Sequence, residues 1–127
     1  MINNFLVISC IGTNDKLGLR INKDFFTYHF DKKKNENDQL VSEILSFLNK
    51  HNVELDKNFT VIINLGPGKF SSIRVSLSIA KGLEISKKVR LYGYKGSDLK
   101  LFNQKNIEKL LIENLIEKKL IKPIYLS

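Results

Sequence analysis

A single cysteine, Cys10, stands among the 127 residues. That excludes an internal disulfide and any zinc site built from several cysteines. The only histidines, His29 and His51, lie far apart and without metal-pair spacing. No apolar run approaches the roughly 20 residues a helix needs to cross a bilayer. The N-terminus lacks both the basic region and the small-residue cleavage site of a signal peptide, so a cytoplasmic location is expected. Arginine is also scarce, with 3 Arg against 18 Lys. Readers of bases and phosphates favour the planar Arg fork, and the Lys here are scattered apart from Lys32, Lys33 and Lys34. The net charge of +8 therefore reads first as a solvated Lys-rich surface, with direct RNA contact as an alternative. Against these absences stand 43% hydrophobic and 27% charged residues, enough for one domain with one core over residues 1–127 and too few for two.

Residues 4–10 (NFLVISC) form a nearly continuous apolar run, as in a strand covered on both faces. Residues 16–21 alternate, a turn follows at Asn22, Lys23 and Asp24, and residues 25–30 read as a third strand. Asp38 is the expected cap for a helix over 39–50. On that helix Val41, Ile44, Leu45 and Leu48 make one stripe, with Leu40 and Phe47 to its side. A buried strand over 59–65 leads through Gly66, Pro67 and Gly68 into a helix over 70–85. A strand over 89–92, a loop over 93–98, a helix over 104–119 and a short terminal strand over 124–126 complete the pattern. The order predicts an α/β fold: a five-stranded mixed sheet with an N-terminal three-strand meander and packed helices. This fits the ribonuclease-H-like core shared by sugar kinases, actin and Hsp70, and other α/β folds as well.

The least generic stretch begins at Gly66. Two glycines permit backbone angles closed to other residues, and Pro67 fixes the turn between them. A plain strand-to-helix turn is favoured over a phosphate loop, because the Gly-Lys-Ser/Thr spacing of a Walker loop is missing. On the helix that follows, Phe70, Ile73, Leu77 and Ala80 form one apolar group, and Val75, Ile79 and Leu83 a second. Ser72 and Ser76 lie between the two groups, and Ser71, Arg74, Ser78 and Lys81 take the polar side. So wide an arc is covered on two sides, by its own sheet and by something else, for which the third helix is one candidate.

This segment, GPGKFSSIRVSLSIAKGLEI, closely resembles the GPGSFTGLRIGLSTAKGLA segment of the TsaB family, also called YeaZ. Gly66, Pro67, Gly68, Phe70, Ser71, Arg74, Ser78, Ala80, Lys81, Gly82 and Leu83 fall on matching positions. The opening FLVIS resembles the family's first strand, and Pro123, Ile124, Tyr125 and Leu126 are similar to its C-terminal P-x-YLR. The chain departs in having Ser9 for the usual first-strand Asp and Asn37 for a common His. It is also shorter, resembling mainly the first lobe (1–95), with 96–127 as a reduced C-terminal part of the usual second lobe of this actin-like (ASKHA) class.

The resemblance implies a non-catalytic subunit that pairs with TsaD in forming N6-threonylcarbamoyladenosine on tRNA. Glycoprotease-like TsaD is the catalytic partner, TsaE is a possible further component, and tRNA contact is indirect. Leu40, Phe47, Ile73 and Leu77 are the expected interface residues, with a homodimer expected when TsaD is absent. Gly66, Pro67 and Gly68 are expected to act as a structural turn. No catalytic residue, metal or cofactor is expected, because no strand-end carboxylates stand ready to hold a metal and phosphates. Cys10 is read as a small buried residue, and His29 and His51 as structural or solvated. The alternatives are a degenerate small enzyme of the glycoprotease or kinase-like class, or a standalone basic RNA-binding module.

Overall fold

The structure is a computed structural model that describes residues 4–30, 37–99, 101–112 and 116–117. Its order is β1 (Phe5–Ser9), β2 (Lys16–Ile21), β3 (Asp24–His29), α1 (Asn37–Lys50), β4 (Thr60–Asn64), α2 (Phe70–Lys87), β5 (Arg90–Tyr94), α3 (Gln104–Ile112) and β6 (Ile116–Glu117). A single 3-10 turn over Gly96–Asp98 follows β5. The strands form one sheet in the order β3-β2-β1-β4-β5-β6. The meander β1-β2-β3 is antiparallel, and β1, β4 and β5 run parallel.

The apolar runs explain which strands are central. Every residue of β1 and β4 is buried, as their lack of polar alternation requires. Their side chains divide by parity. Leu6, Ile8, Val61, Ile63 and Leu91 enter a core with Ile44, Phe47, Leu48, Leu77 and Ala80 of α1 and α2. Phe5, Val7, Ile62 and Tyr94 form a second core with Ile107 and Leu110 of α3. So α1 and α2 cover one face of the sheet and α3 the other. The further cover for α2 comes from α1 beside it, and the third helix does not supply it.

Two other expectations are corrected. The helix predicted over 104–119 ends at Ile112, and Ile116 and Glu117 pair antiparallel with Tyr94 and Gly93, adding a short sixth strand beside the predicted five. Helical periodicity could not reveal this, because a two-residue strand has no period of its own. The helix predicted from residue 39 begins at Asn37, which puts Asp38 in the first turn rather than at the cap. The terminal strand predicted over 124–126 lies outside the described residues. Among those residues no helix is long and apolar enough to cross a membrane.

Candidate functional site

Three loops converge beyond the carboxyl ends of β1, β4 and β5. The Gly66–Pro67 peptide is cis, and Gly66 has φ +101°. The other glycine of the turn serves a different purpose. A Cβ on Gly68 would stand 2.5 Å from Ile11 Cβ and 2.7 Å from the Ile11 carbonyl oxygen, so Gly68 permits close approach of two backbones. The Lys69 amide donates to that same Ile11 carbonyl at 2.8 Å. Gly12, at φ +101°, leaves the room occupied by the Lys69 side chain. From the third loop the Gly96 amide donates to the Gly66 carbonyl at 2.8 Å. The turn is thus bonded to both neighbouring loops.

Within this cluster Asp15 accepts the Gly12 amide at 2.9 Å. Burial holds its carboxyl above the usual range, while the Gly12 and Ile11 amides and the Lys69 charge oppose the shift. Cys10 is buried, and burial followed by the charge of Asp15 pushes its thiol well above the ordinary value. A thiol so placed is a small apolar side chain, not a nucleophile.

The strand ends carry hydroxyl and amide chemistry. Ile8 pairs with Ile63 and Asn64 with Tyr94, so Ser9, Asn64 and Tyr94 lie in one row on the α3 face. Asn64 Nδ2 donates to Ser9 Oγ at 3.1 Å, and Asn64 Oδ1 accepts the Gly66 amide at 2.9 Å. Among the described residues no three His, Cys, Asp or Glu come together in a metal-holding group. His51 stacks on Phe26 at 4.0 Å between ring centroids and meets Phe47 edge-on at 5.2 Å, while His29 is exposed on β3.

The helix faces require a correction. Of the four residues expected at an interface, Ile73 and Leu77 are buried in the chain's own core, and Phe47 is only 6% exposed. Leu40 is half-buried against the same core. Instead Val41 and Leu45, expected inside, are 43% and 50% exposed. The apolar arc of α1 spans about 160° at 100° per residue, wider than one sheet face takes. The sheet takes the side bearing Phe47, whose ring meets Tyr28 of β3 at 5.9 Å and offers more area than Val or Leu.

On α2, Ile73, Ser76, Leu77 and Ala80 face inward, and Ile79 and Leu83 are partly buried. Phe70 leaves its predicted group and lies exposed beneath the Arg74 guanidinium, 5.9 Å from the ring centroid. Ile85 is 72% exposed. Gly82 is exposed too, and a Cβ there would meet nothing within 4 Å among the described residues. Leu45 of α1 and Lys87 of α2 line one shallow groove of about 660 Å³, together with Val53 and Leu55.

Asn64 and Tyr94 are not among the candidate residues that the sequence alone marks. An amide closing the apolar run TVIIN was the available signal for Asn64. Tyr94 falls in the loop predicted over 93–98, and only the strand register brings it beside Asn64.

No protein-family model and no curated protein sequence matches the chain. Solved structures do. YeaZ from Pseudomonas aeruginosa superposes with a TM-score of 0.67 at 14% identity, covering 88% of this chain and 50% of that one. A crystal structure of an uncharacterized protein with similarity to peptidase YEAZ from Pseudomonas aeruginosa gives 0.65 at 15% identity, covering 76% and 44%. The chain therefore has the YeaZ fold, a ribonuclease-H-like mixed sheet with packed helices, and spans about half the length of these structures.

Proposed function

We propose that this chain is a non-catalytic subunit of the TsaB type, which docks through the outward faces of α1 and α2 onto a TsaD-like partner in forming N6-threonylcarbamoyladenosine on tRNA. The fold shared with YeaZ and the turn-helix segment from Gly66 to Leu83 support the class.

The observation that carries the docking surface is Gly82. Glycine inside an exposed helix costs about 1 kcal/mol relative to alanine. Among the described residues nothing approaches closely enough to require it. A partner helix packed against α2 would require it, because small residues let two backbones come close. Val41, Leu45 and Ile85 supply exposed apolar area on the two helices. The strand ends offer Ser9, Asn64 and Tyr94 where phosphoryl transfer uses carboxylates to hold a metal.

With TsaD absent, a second copy of the chain covers the same faces as a homodimer. TsaE joins through TsaD, and tRNA is contacted mainly through the partner. Co-purification is the test: a tagged chain should retain cognate untagged TsaD through a salt wash, and Leu45→Asp should release it. Wild-type chain that leaves TsaD in the flow-through overturns the reading.

A further inference from the structure

We propose that the cavity outside the carboxyl ends of β1, β4 and β5 is a binding site for a small organic anion, with its oxyanion head on Ser9, Asn64 and Tyr94 and its apolar body against Leu99 and Phe102. The cavity measures about 370 Å³, within the range of small-molecule sites. It lies where connections from adjacent parallel strands leave for opposite faces: β4 leads to α2 and β5 to α3. Open α/β sheets characteristically hold ligands at such crevices.

The floor of the cavity carries unspent hydrogen-bonding capacity. Tyr94 is 1% exposed, and among the described residues no group meets its hydroxyl with full hydrogen-bond geometry. The phenol oxygen lies near Ser9 and Asn64, yet makes no bond of good geometry to either. Ser9 Oγ accepts from Asn64, which leaves its own proton to donate, and Asn64 uses one N–H of its amide on Ser9. Buried polar groups are rarely left unmatched, and an orphan in a native protein calls for a missing partner.

The walls define that partner's chemistry. Thr13 and Ser97 add hydroxyls, and Lys16 contributes a cation whose Nζ stands 5.2 Å from the Phe102 ring centroid. Among the described residues no Asp or Glu lines the cavity, and neighbouring Asp15 holds its Oδ1 on the Gly12 amide. Hydroxyl and amide donors converging beside the Lys16 ammonium suit an oxyanion, carboxylate or phosphate. The apolar rim of Ile11, Leu99 and Phe102 suits a carbon body.

The test titrates the isotope-labelled full chain with benzoate, phenyl phosphate and neutral benzamide at constant ionic strength, following backbone amide shifts. Saturable shifts at Ser9, Asn64 and Tyr94 are expected with at least one of the two anions, at least tenfold tighter than with benzamide. Binding of benzoate alone assigns a carboxylate ligand, and binding of phenyl phosphate alone assigns a phosphate. Tyr94→Phe should weaken the anion at least tenfold without lowering the thermal midpoint of the free protein, because the hydroxyl it removes is unpartnered there. Lys16→Met, at the rim, should weaken it similarly and serves if Tyr94→Phe fails to fold. Benzamide binding as tightly as the anions overturns the proposal. So does the absence of saturable shifts, or full affinity in the folded variants.

Discussion

Gly68 bears the tightest contact of the loop cluster. Its missing Cβ would fall 2.5 Å from one atom of Ile11 and 2.7 Å from another, and the second is a backbone oxygen that cannot swing aside. Gly68→Val should therefore lower stability by roughly 1–3 kcal/mol, the usual cost of overpacking. Denaturant melts of the folded variant check this, and an unchanged midpoint would mean that the Ile11 loop yields freely. Asp15 makes the opposite kind of contribution. Its folded-state pKa is raised, so the native state holds its proton to higher pH than the unfolded chain does. Its contribution to stability then falls as pH rises from the ordinary carboxylate value through the raised one, and at pH 7 the charge is a net cost. Asp15→Asn keeps an oxygen for the Gly12 amide and removes the charge. Its thermal midpoint should exceed wild type at pH 7, and the advantage should vanish near pH 3, below the ordinary carboxylate range. A variant less stable than wild type at pH 7 would contradict this.

At the scale of the elements, α2 is less stable than its length allows because of Gly82. Gly82→Ala should stabilise the isolated chain by up to about 1 kcal/mol, a rise of a few degrees in thermal midpoint. If α2 docks closely on a partner, the same substitution should weaken the complex. Calorimetry of the free chain and titration of the complex separate the two effects, and a variant that gains stability without losing affinity would remove Gly82 from the contact. Much of this architecture was legible in the sequence. Unbroken apolar runs marked β1 and β4 as central, and the turn residues marked the meander and the entry to α2. The facing of α1 was not legible, because its apolar arc exceeds one face. Choosing between Leu45 and Phe47 depends on what β3 offers, and β3 offers Tyr28 and Phe26 near Phe47 and His51. The end of α3 escaped for a related reason: Ile116 and Glu117 follow the edge of β5 rather than any local period. The row of Ser9, Asn64 and Tyr94 exists only through parallel register among residues up to 85 positions apart.

For the whole molecule, one sheet separates two surfaces of different character. The outward faces of α1 and α2 present exposed apolar groups and an exposed glycine. The α3 face holds the polar row and its cavity. Because the central strands keep the two apart, substitutions on one side should leave the other intact, and the docking and anion proposals stand or fall separately. The docking surface is the central claim, and sedimentation equilibrium tests it most directly. Wild-type chain should associate with cognate TsaD, and Leu45→Asp should raise the dissociation constant at least tenfold, since a charge would be desolvated at the contact. The thermal midpoint of that variant alone should stay near wild type, because half of Leu45 already meets solvent. A folded Leu45→Asp chain with wild-type affinity, or a wild-type chain that stays monomeric in the presence of TsaD, would contradict the account.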